Sequence, residues 1–292
     1  MSQTFKNKLQ SSGRQALLGE AFTSRDNIKA FVAENYRDLD SVRSSYLLAK
    51  ALGCPKDDWK SVPVLAKALV EQGIISANPP EEFYRNKSGQ DSNYYDPHIV
   101  GEKQARANLE TWVKRNIRDL DDVERNHGLA GALGVPEQVR MKRASVAKAL
   151  VDGGFLSADI PLGHPLSKGP ITTNYLNAEV VGEAKKKENL ARWIHHEIPT
   201  LDHIEKNLKL ASLLDIPDEF KQNTSKLAEA LVSQGYLSTE IPSSHPLGLS
   251  RYVRPDIVGV EAAERNLKKW TVENFNSLDD FGAYNSRTLA TV

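Results

Sequence analysis

The chain has 292 residues, and 38 Lys and Arg residues balance 38 Asp and Glu residues, so its formal net charge is zero. The composition, 40% apolar and 26% charged, is typical of a globular protein with a sizeable core. We expect no membrane-spanning segment, because no apolar run approaches the ~18 residues that one requires. Zero net charge also argues against the broad basic surface of most nucleic-acid-binding proteins. The single cysteine, Cys54, allows no disulfide within the chain and favours a reducing, cytoplasmic location.

Four asparagines mark an internal repeat in the sequence. Each is followed by an apolar residue one position later and by an aromatic residue four positions later, and their spacings are 81, 81 and 77 residues. The pattern predicts three full repeats and a partial fourth, at residues 25–100, 101–181, 182–258 and 259–292, after a basic arm or capping helix at residues 1–24. The marker asparagines are Asn27, Asn108, Asn189 and Asn266.

Each full repeat is predicted to contain three helices, called helices A, B and C. In the second repeat, apolar residues at helical spacing place helix A at about residues 103–118. Helix B is predicted to end near Gly134 and helix C at Gly153, because glycine commonly follows the last helical residue. The fold prediction is all-α: a tandem array of three-helix units of about 81 residues joined by extended, Pro-containing connectors. A small β wing in the connectors is a further option.

Two recurrent polar positions are predicted to have structural roles. Asp121 precedes helix B, with Glu124 three residues later, which is the arrangement of a capping box. The marker asparagines lie inside helix A, where asparagine is unfavourable. We expect their amides to bond the backbone of the adjacent Val-Gly turn and so to fix how consecutive repeats join. Direct contact with a ligand is the alternative.

Candidate binding residues lie in the connectors and before helix C. Tyrosines beside Pro and Arg on exposed segments are common in protein-binding surfaces, and packing onto the helices beneath is the alternative. Arg140, Lys142 and Arg143 form a local basic run before helix C of the second repeat, for which a solvated helix face is the simpler interpretation. The connector tyrosines are Tyr84, Tyr94, Tyr95, Tyr175 and Tyr252.

The sequence offers no recognisable catalytic, metal or cofactor site. It has no Gly-rich phosphate loop, no His-Glu-x-x-His and no paired cysteines. His195, His196 and His203 cluster only in the third repeat and lack an identifiable further ligand, so a surface helix is the simpler interpretation. We therefore expect no catalytic residue, no metal and no cofactor, in a protein that is not an enzyme.

Three classes of function fit these observations to different degrees. A non-enzymatic scaffold or assembly protein fits best, because repeated units are typical of quasi-one-dimensional arrays that present binding surfaces. A nucleic-acid-binding protein is the alternative, since helices B and C faintly resemble a helix-turn-helix followed by a wing. An enzyme ranks third. We expect a protein partner, with nucleic acid as the alternative, and no membrane partner.

The two ends of the sequence suggest a route to self-association. Residues 15–24 match residues 148–157 at the end of helix C, whereas the fourth repeat holds helix A and only the start of helix B. A neighbouring molecule's N-terminus is predicted to cover the unfinished fourth repeat, in a head-to-tail contact that gives a ring or a filament. The alternative is that residues 1–24 cap the first repeat of their own chain.

Overall fold

A computed structural model describes residues 22, 24–85, 92–168, 171–246 and 250–275. Within these ranges the chain is mostly α-helical, which confirms the all-α class. The chain divides into two compact bodies, an N-terminal body of residues 1–157 and a C-terminal body of residues 158–292. None of the described helices is long and apolar enough to cross a membrane.

The N-terminal body contains seven α-helices among its described residues, and short 3-10 turns separate most of them. Helix α3 packs against α4, and α4 packs against α5, so the short helix α4 contacts the helices before and after it in sequence. The helices are α1 (Arg25–Asn35), α2 (Tyr46–Ala51), α3 (Val62–Glu71), α4 (Pro97–Val100), α5 (Glu102–Asn116), α6 (His127–Ala132) and α7 (Arg143–Asp152). The 3-10 turns are Leu39–Ser41, Lys56–Asp58, Glu81–Arg85, Asn93–Tyr95, Leu120–Asp122 and Glu137–Val139.

The C-terminal body has a similar order of elements. Its described part begins with a short antiparallel hairpin, β1 (Ser167–Lys168) and β2 (Ile171–Thr172), in which Ser167 pairs with Thr172 and Lys168 with Ile171. The helices are α8 (Ala178–Val181), α9 (Glu183–Glu197), α10 (Leu208–Leu213), α11 (Thr224–Ser233), α12 (Pro255–Val258) and α13 (Val260–Asn274). The 3-10 turns are Asn174–Leu176, Leu201–His203, Asp218–Phe220 and Arg251–Val253.

Side-chain caps start the short helices α2, α6 and α10. The N-cap residues Ser45, Asn126 and Asn207 accept hydrogen bonds from the backbone N–H groups three residues later, at 3.4, 2.9 and 2.9 Å. The predicted cap at Asp121 is wrong, because Asp121 lies inside a 3-10 turn. The residue that caps this turn is Asp119, which accepts from the N–H groups of Asp121 and Asp122.

A glycine turn sets the start of each long helix that follows a connector. Gly101, Gly182 and Gly259 have φ angles of 83°, 82° and 84°, with ψ near 150°. Only glycine adopts this backbone region readily. The Val-Gly pairs seen in the sequence are therefore a conformational requirement for the entry to α5, α9 and α13.

Each body has an apolar core built from the same helix positions. In the N-terminal body, Leu48, Leu65 and Leu69 of α2 and α3 are fully buried and contact the cluster that includes Tyr94. In the C-terminal body, Leu210 and Leu227 occupy the corresponding positions of α10 and α11. Trp270 of α13 joins this second core, so the last described helix is held by apolar packing.

Candidate functional site

A buried asparagine joins each long helix to the connector before it. Asn108 Nδ2 donates to the carbonyl oxygens of Ala77 and Tyr94, both at 2.9 Å, and its Oδ1 accepts from Gln104 at 2.8 Å. Asn189 and Asn266 make the same pair of donations, to Ala158 and Tyr175 at 2.8 Å and to Thr239 and Tyr252 at 2.7 Å. We call this arrangement the asparagine clamp.

The clamp differs from the sequence prediction in two respects. Its partners are the two ends of the preceding connector, whereas a bond to the Val-Gly turn was expected. Asn27, the fourth marker asparagine, is exposed on α1, and its side chain makes no clamp contact with another residue that the structure describes. The clamp uses the side-chain N–H donors of three of the four asparagines. These three amides therefore attach α5, α9 and α13 to the connectors that precede them.

The connector tyrosines do not form the exposed binding surface that was predicted. Four of them, Tyr94, Tyr95, Tyr175 and Tyr252, are only 2–6% exposed. The hydroxyl of Tyr94 accepts from the Leu39 N–H at 3.1 Å, and that of Tyr252 accepts from the Leu201 N–H at 3.2 Å. These bonds satisfy buried backbone donors at the start of 3-10 turns, and a buried donor without a partner would be costly.

Tyr95 and Tyr84 have different surroundings. The Tyr95 hydroxyl is buried without a hydrogen-bond partner, and burial raises the pKa of this hydroxyl far above its ordinary value. The half-buried Tyr84 ring lies under the Arg115 guanidinium, 4.6 Å from its centroid, and Arg115 also pairs with Glu81. Neither side chain is presented freely to a partner.

Two aspartates after the long helices hold the connectors by a second set of bonds. Asp40 accepts from Ser92 Oγ at 2.8 Å and from the Asn93 N–H at 2.7 Å. Asp202 accepts from the Arg251 N–H and from His245 Nε2, both at 2.7 Å. Burial raises the pKa of Asp40. Burial also acts to raise the pKa of Asp202, but hydrogen bonds from Arg251, His245 and Ser250 outweigh it and lower that pKa.

The basic run before α7 is largely engaged within the protein. Arg140 pairs with Glu137 at 2.6 Å and donates through Nε to the Val135 carbonyl at 2.9 Å. Arg143 donates to the Asp121 carbonyl, and Lys142 is exposed. A single exposed lysine in this run is not enough for a nucleic-acid-binding surface, because binding along the phosphate backbone requires several Lys and Arg contacts.

In each body, exposed apolar side chains recur at or just before the first residues of certain helices. In the N-terminal body, the exposed Tyr46 ring opens α2 and meets the Trp59 ring edge-on at 4.7 Å, and Met141 is exposed just before α7. In the C-terminal body, Leu208 opens α10, in the sequence position of Tyr46, and Phe220 precedes α11. The name edge surface denotes these five residues, taken separately for each body. Tyr46, Met141, Leu208 and Phe220 are 40–57% exposed.

The described residues hold no group of three or more His, Cys, Asp or Glu arranged to bind a metal ion. His195, His196 and His203 are all exposed. His196 contacts the adjacent Glu197, and His203 contacts Thr200, at 2.8 and 2.6 Å. The chain matches no protein-family model, no curated protein and no solved structure.

Sequence reasoning missed the edge surface because its members differ between repeats. Tyr46, His127 and Leu208 share one position, and Asp58, Val139 and Phe220 share another. The sequence signal was a large apolar residue directly after the N-cap, as at Tyr46 and Leu208. An apolar side chain at this position does not stabilise an isolated helix. Exposed apolar groups of this kind are informative when they cluster.

Proposed function

We propose that the protein is a non-enzymatic, cytoplasmic tandem-repeat scaffold that binds protein partners through the edge surface. In this proposal the chain is an array of three-helix units of about 81 residues, as the spacing of the marker asparagines predicts. The recurring order of long helix, 3-10 turn, short helix, 3-10 turn and helix supports the array. The half-buried, lone Cys54 supports a reducing compartment.

The recurrence of the edge surface carries the proposal. Tyr46 and Leu208 are separated by two repeat lengths and occupy the first position of equivalent helices in different bodies. A large apolar residue at this position gains little from its own fold while it stays exposed. Burial against another protein would recover that free energy, and aromatic residues are enriched in such contacts.

The charges of the C helices favour a protein partner over nucleic acid. On α7, Lys148 pairs with Asp152 at 2.8 Å, and on α11, Lys226 pairs with Glu229 at 2.7 Å. The corresponding pair on α3 is Lys67 with Glu71 at 3.7 Å. Each lysine therefore has an acid on the same helix, which works against the continuous basic stripe that a duplex-binding helix would need.

Site-specific photocrosslinking tests the edge surface in the full chain. Tyr46, Leu208 and Phe220 are replaced one at a time by a benzophenone amino acid and irradiated in an extract of the source cells. We expect all three positions to crosslink to the same protein. Leu162 and Val272 are the matched controls, because they are more exposed than the edge residues. We expect these two positions not to crosslink to a shared protein.

Two results would contradict the proposal. Crosslinks of equal yield at the control positions would mean that exposed apolar groups bind without specificity. Tight binding of random duplex DNA at low salt, falling steeply at moderate salt, would favour the nucleic-acid alternative instead.

One observation favours self-association as a second mode. Leu267 of α13 is 48% exposed, whereas Leu109 and Leu190 at the same repeat position are 5% and 2% exposed. Leu190 belongs to the core that includes Leu210 and Leu227 of helices B and C. Leu267 therefore lies on a helix face that a B or C helix covers in the preceding repeat. We propose that residues 15–24 of a second copy, of which the structure describes only residues 22 and 24, cover this face.

Light scattering against protein concentration tests this mode. We expect the full chain to show a mass that rises with concentration, and both Leu267→Ser and a chain starting at Arg25 to stay monomeric. Val272→Ser is the control, because Val272 is more exposed than Leu267 and its equivalents Ala33, Lys114 and His195 are exposed as well. A full chain that is monomeric at every concentration, or an equal effect of the control, would exclude the contact.

A further inference from the structure

An open groove of about 710 Å³ lies in the N-terminal body. It is bounded by α5, by the turn between α6 and α7, and by α7 with the residues that follow it. Apolar groups line much of it, including Leu109, Val135, Val139 and the Phe155 ring. A groove of this volume and character is within the range of ligand-binding sites in proteins.

At one repeat position that lines this groove, the second repeat has glycine and the other two have glutamine. Gln72 and Gln234 occupy this position in the first and third repeats. Their Nε2 atoms donate to the carbonyl oxygens of Leu52 and Leu214, at 3.0 and 3.1 Å, and so bridge the end of helix C to the end of helix B. Gly153 occupies the position in the second repeat and has no side chain with which to form the bridge.

The missing bridge leaves a matching acceptor in the groove. Leu133 is the equivalent of Leu52 and Leu214, and it lines the groove. Within the described part of the chain, no protein donor bonds the Leu133 carbonyl. A carbonyl at a helix end gains from a donor when water is displaced from it.

We propose that this groove binds a glutamine side chain presented by a protein partner. The inference rests on the proposed protein-binding function and deepens it by naming the group that is recognised. The carboxamide would donate to the Leu133 carbonyl, as Gln72 and Gln234 do to its equivalents. The aliphatic stem would lie against Phe155 and Val135. The partner thus supplies from outside the group that the other two repeats carry in their own helices.

The charges around the groove favour a neutral polar group. Lys148 is paired with Asp152 at 2.8 Å. Arg106 donates to the Gly153 carbonyl at 2.7 Å and lies over the Phe155 ring, 4.9 Å from its centroid. These three charges are already partnered. Glu102 at the rim is exposed and would favour a basic side chain, so a lysine analogue is included in the test.

Backbone NMR of the full chain tests the proposal with small probes. N-acetyl-glutamine methylamide represents the glutamine side chain, and the methionine and lysine analogues are the controls, since they have stems of similar length without a carboxamide. We expect saturable shifts at Leu133, Gly134 and Gly153 with the glutamine probe, and a Kd on the order of 1–10 mM for so small a ligand. Equal or stronger shifts with either control probe, or no saturable shift, would overturn the proposal.

Exchanging the two residue types gives a matched pair of variants. A Cβ at residue 153 would lie 2.7 Å from the edge of the Phe155 ring, and the ring must move aside for Gly153→Gln. Tyr236 lies at the equivalent position and coexists with Gln234. We expect Gly153→Gln to abolish the probe shifts, and Gln72→Gly to create new ones at Leu52 and Gly53.

Either variant tests the groove by itself, so one result remains if the other variant fails to fold. Folded Gly153→Gln that still binds the probe would overturn it, and so would folded Gln72→Gly without new shifts. The crosslinks at Tyr46, Leu208 and Phe220 do not depend on Gly153. Their persistence with a failed probe experiment would reject the groove alone, whereas their loss would reject the proposed function.

Discussion

Tyr94 and Tyr95 are adjacent in sequence and both buried, but within the described residues only the Tyr94 hydroxyl has a hydrogen-bond partner. We expect Tyr94→Phe to lower the free energy of unfolding by about 1–2 kcal/mol, because the buried Leu39 N–H loses its acceptor. Tyr95→Phe removes a hydroxyl that is buried without a partner, so its effect should be close to zero or stabilising. Urea unfolding of both variants measures the difference, and equal losses of stability would contradict this account.

The two connector aspartates are expected to respond oppositely to pH. The lowered pKa of Asp202 means that its stabilising contribution is present above the unfolded pKa of about 3.9 and is lost as pH falls through the folded value. The raised pKa of Asp40 means that its contribution is present below that unfolded pKa and is lost as pH rises through the folded value.

Asparagine substitutions at these aspartates measure the two effects. We expect Asp202→Asn to destabilise the protein more at pH 7 than at pH 3. Asp40→Asn should cost less stability at pH 7 than at pH 3, because the substitution removes an unfavourable ionisation. Thermal unfolding across this pH range measures both variants, and parallel pH profiles would show that the two carboxylates have equivalent surroundings.

Asp215 has the left-handed backbone conformation that glycine has 81 and 162 residues earlier in the chain. Its φ is 57°, and those of Gly53 and Gly134 are 76° and 72°. We expect Asp215→Gly to raise the free energy of unfolding by about 0.5–1 kcal/mol, since a side chain is strained in this region. Gly134→Asp is the matched reverse change, and its stabilisation of the protein would contradict the argument.

At the scale of elements, the asparagine clamp is expected to dominate the attachment of the long helices. Asn108→Ala removes one donation to the buried Tyr94 carbonyl and one to the partly buried Ala77 carbonyl, and it should destabilise the protein by about 1–3 kcal/mol. Asn27→Ala is the control, because Asn27 is exposed at the same helix position, and its effect should lie within about 0.5 kcal/mol of zero. Chemical denaturation followed by circular dichroism measures both, and a similar loss at Asn27 would mean that the clamp contributes little.

Local features of the elements could be predicted from the sequence, and long-range contacts could not. Helix A was expected at about residues 103–118 and α5 spans Glu102–Asn116, because apolar spacing and a following turn are local signals. Asp121 was misassigned as a cap because its neighbours resemble a capping box. The equivalent Asp40 bonds Ser92 and Asn93, about 50 residues away in sequence, and no local pattern specifies such partners.

The candidate site was harder to predict than the helices. Tyrosines beside proline are common both on binding surfaces and in packed connectors, so composition alone could not separate the two cases. The burial of these tyrosines shows that they belong to packed connectors. Their burial depends on contacts between each hydroxyl and a turn about 50 residues away in sequence, which composition does not reveal. The groove at Gly153 could not be predicted from the recurring motifs, because its signal is a difference between equivalent positions: Gly153 where Gln72 and Gln234 stand.

At the scale of the whole molecule, each clamp asparagine bonds its connector at two points. The sequence distance from the asparagine to the nearer point is constant, and the distance to the farther point varies. The distal anchors Tyr94, Tyr175 and Tyr252 all lie 14 residues before their asparagines. The proximal anchors lie 31, 31 and 27 residues before them. The connector before Asn266 is therefore four residues shorter between its two anchors. A change of length in this segment does not alter the spacing between the distal anchor and the asparagine on the long helix.

Restoring the missing length should leave this molecule unchanged. We expect four extra residues between Thr239 and Tyr252 to alter the free energy of unfolding by less than about 0.5 kcal/mol, because loop closure depends weakly on length. The same insertion between Tyr252 and Gly259 is the control and should be strongly destabilising, since it shifts the distal anchor relative to Asn266. Equal effects at the two sites would show that the spacing of the anchors is irrelevant.

The doubly anchored connector also makes the protein a natural display framework. A foreign peptide spliced between the two anchors would be presented with both of its ends held, while the clamps keep the flanking helices in register. Such tethering lowers the entropy that a displayed epitope loses on recognition, in the way that antibody loops benefit from their rigid supports. Each connector would then be a separate cassette, and several epitopes could be carried on one chain.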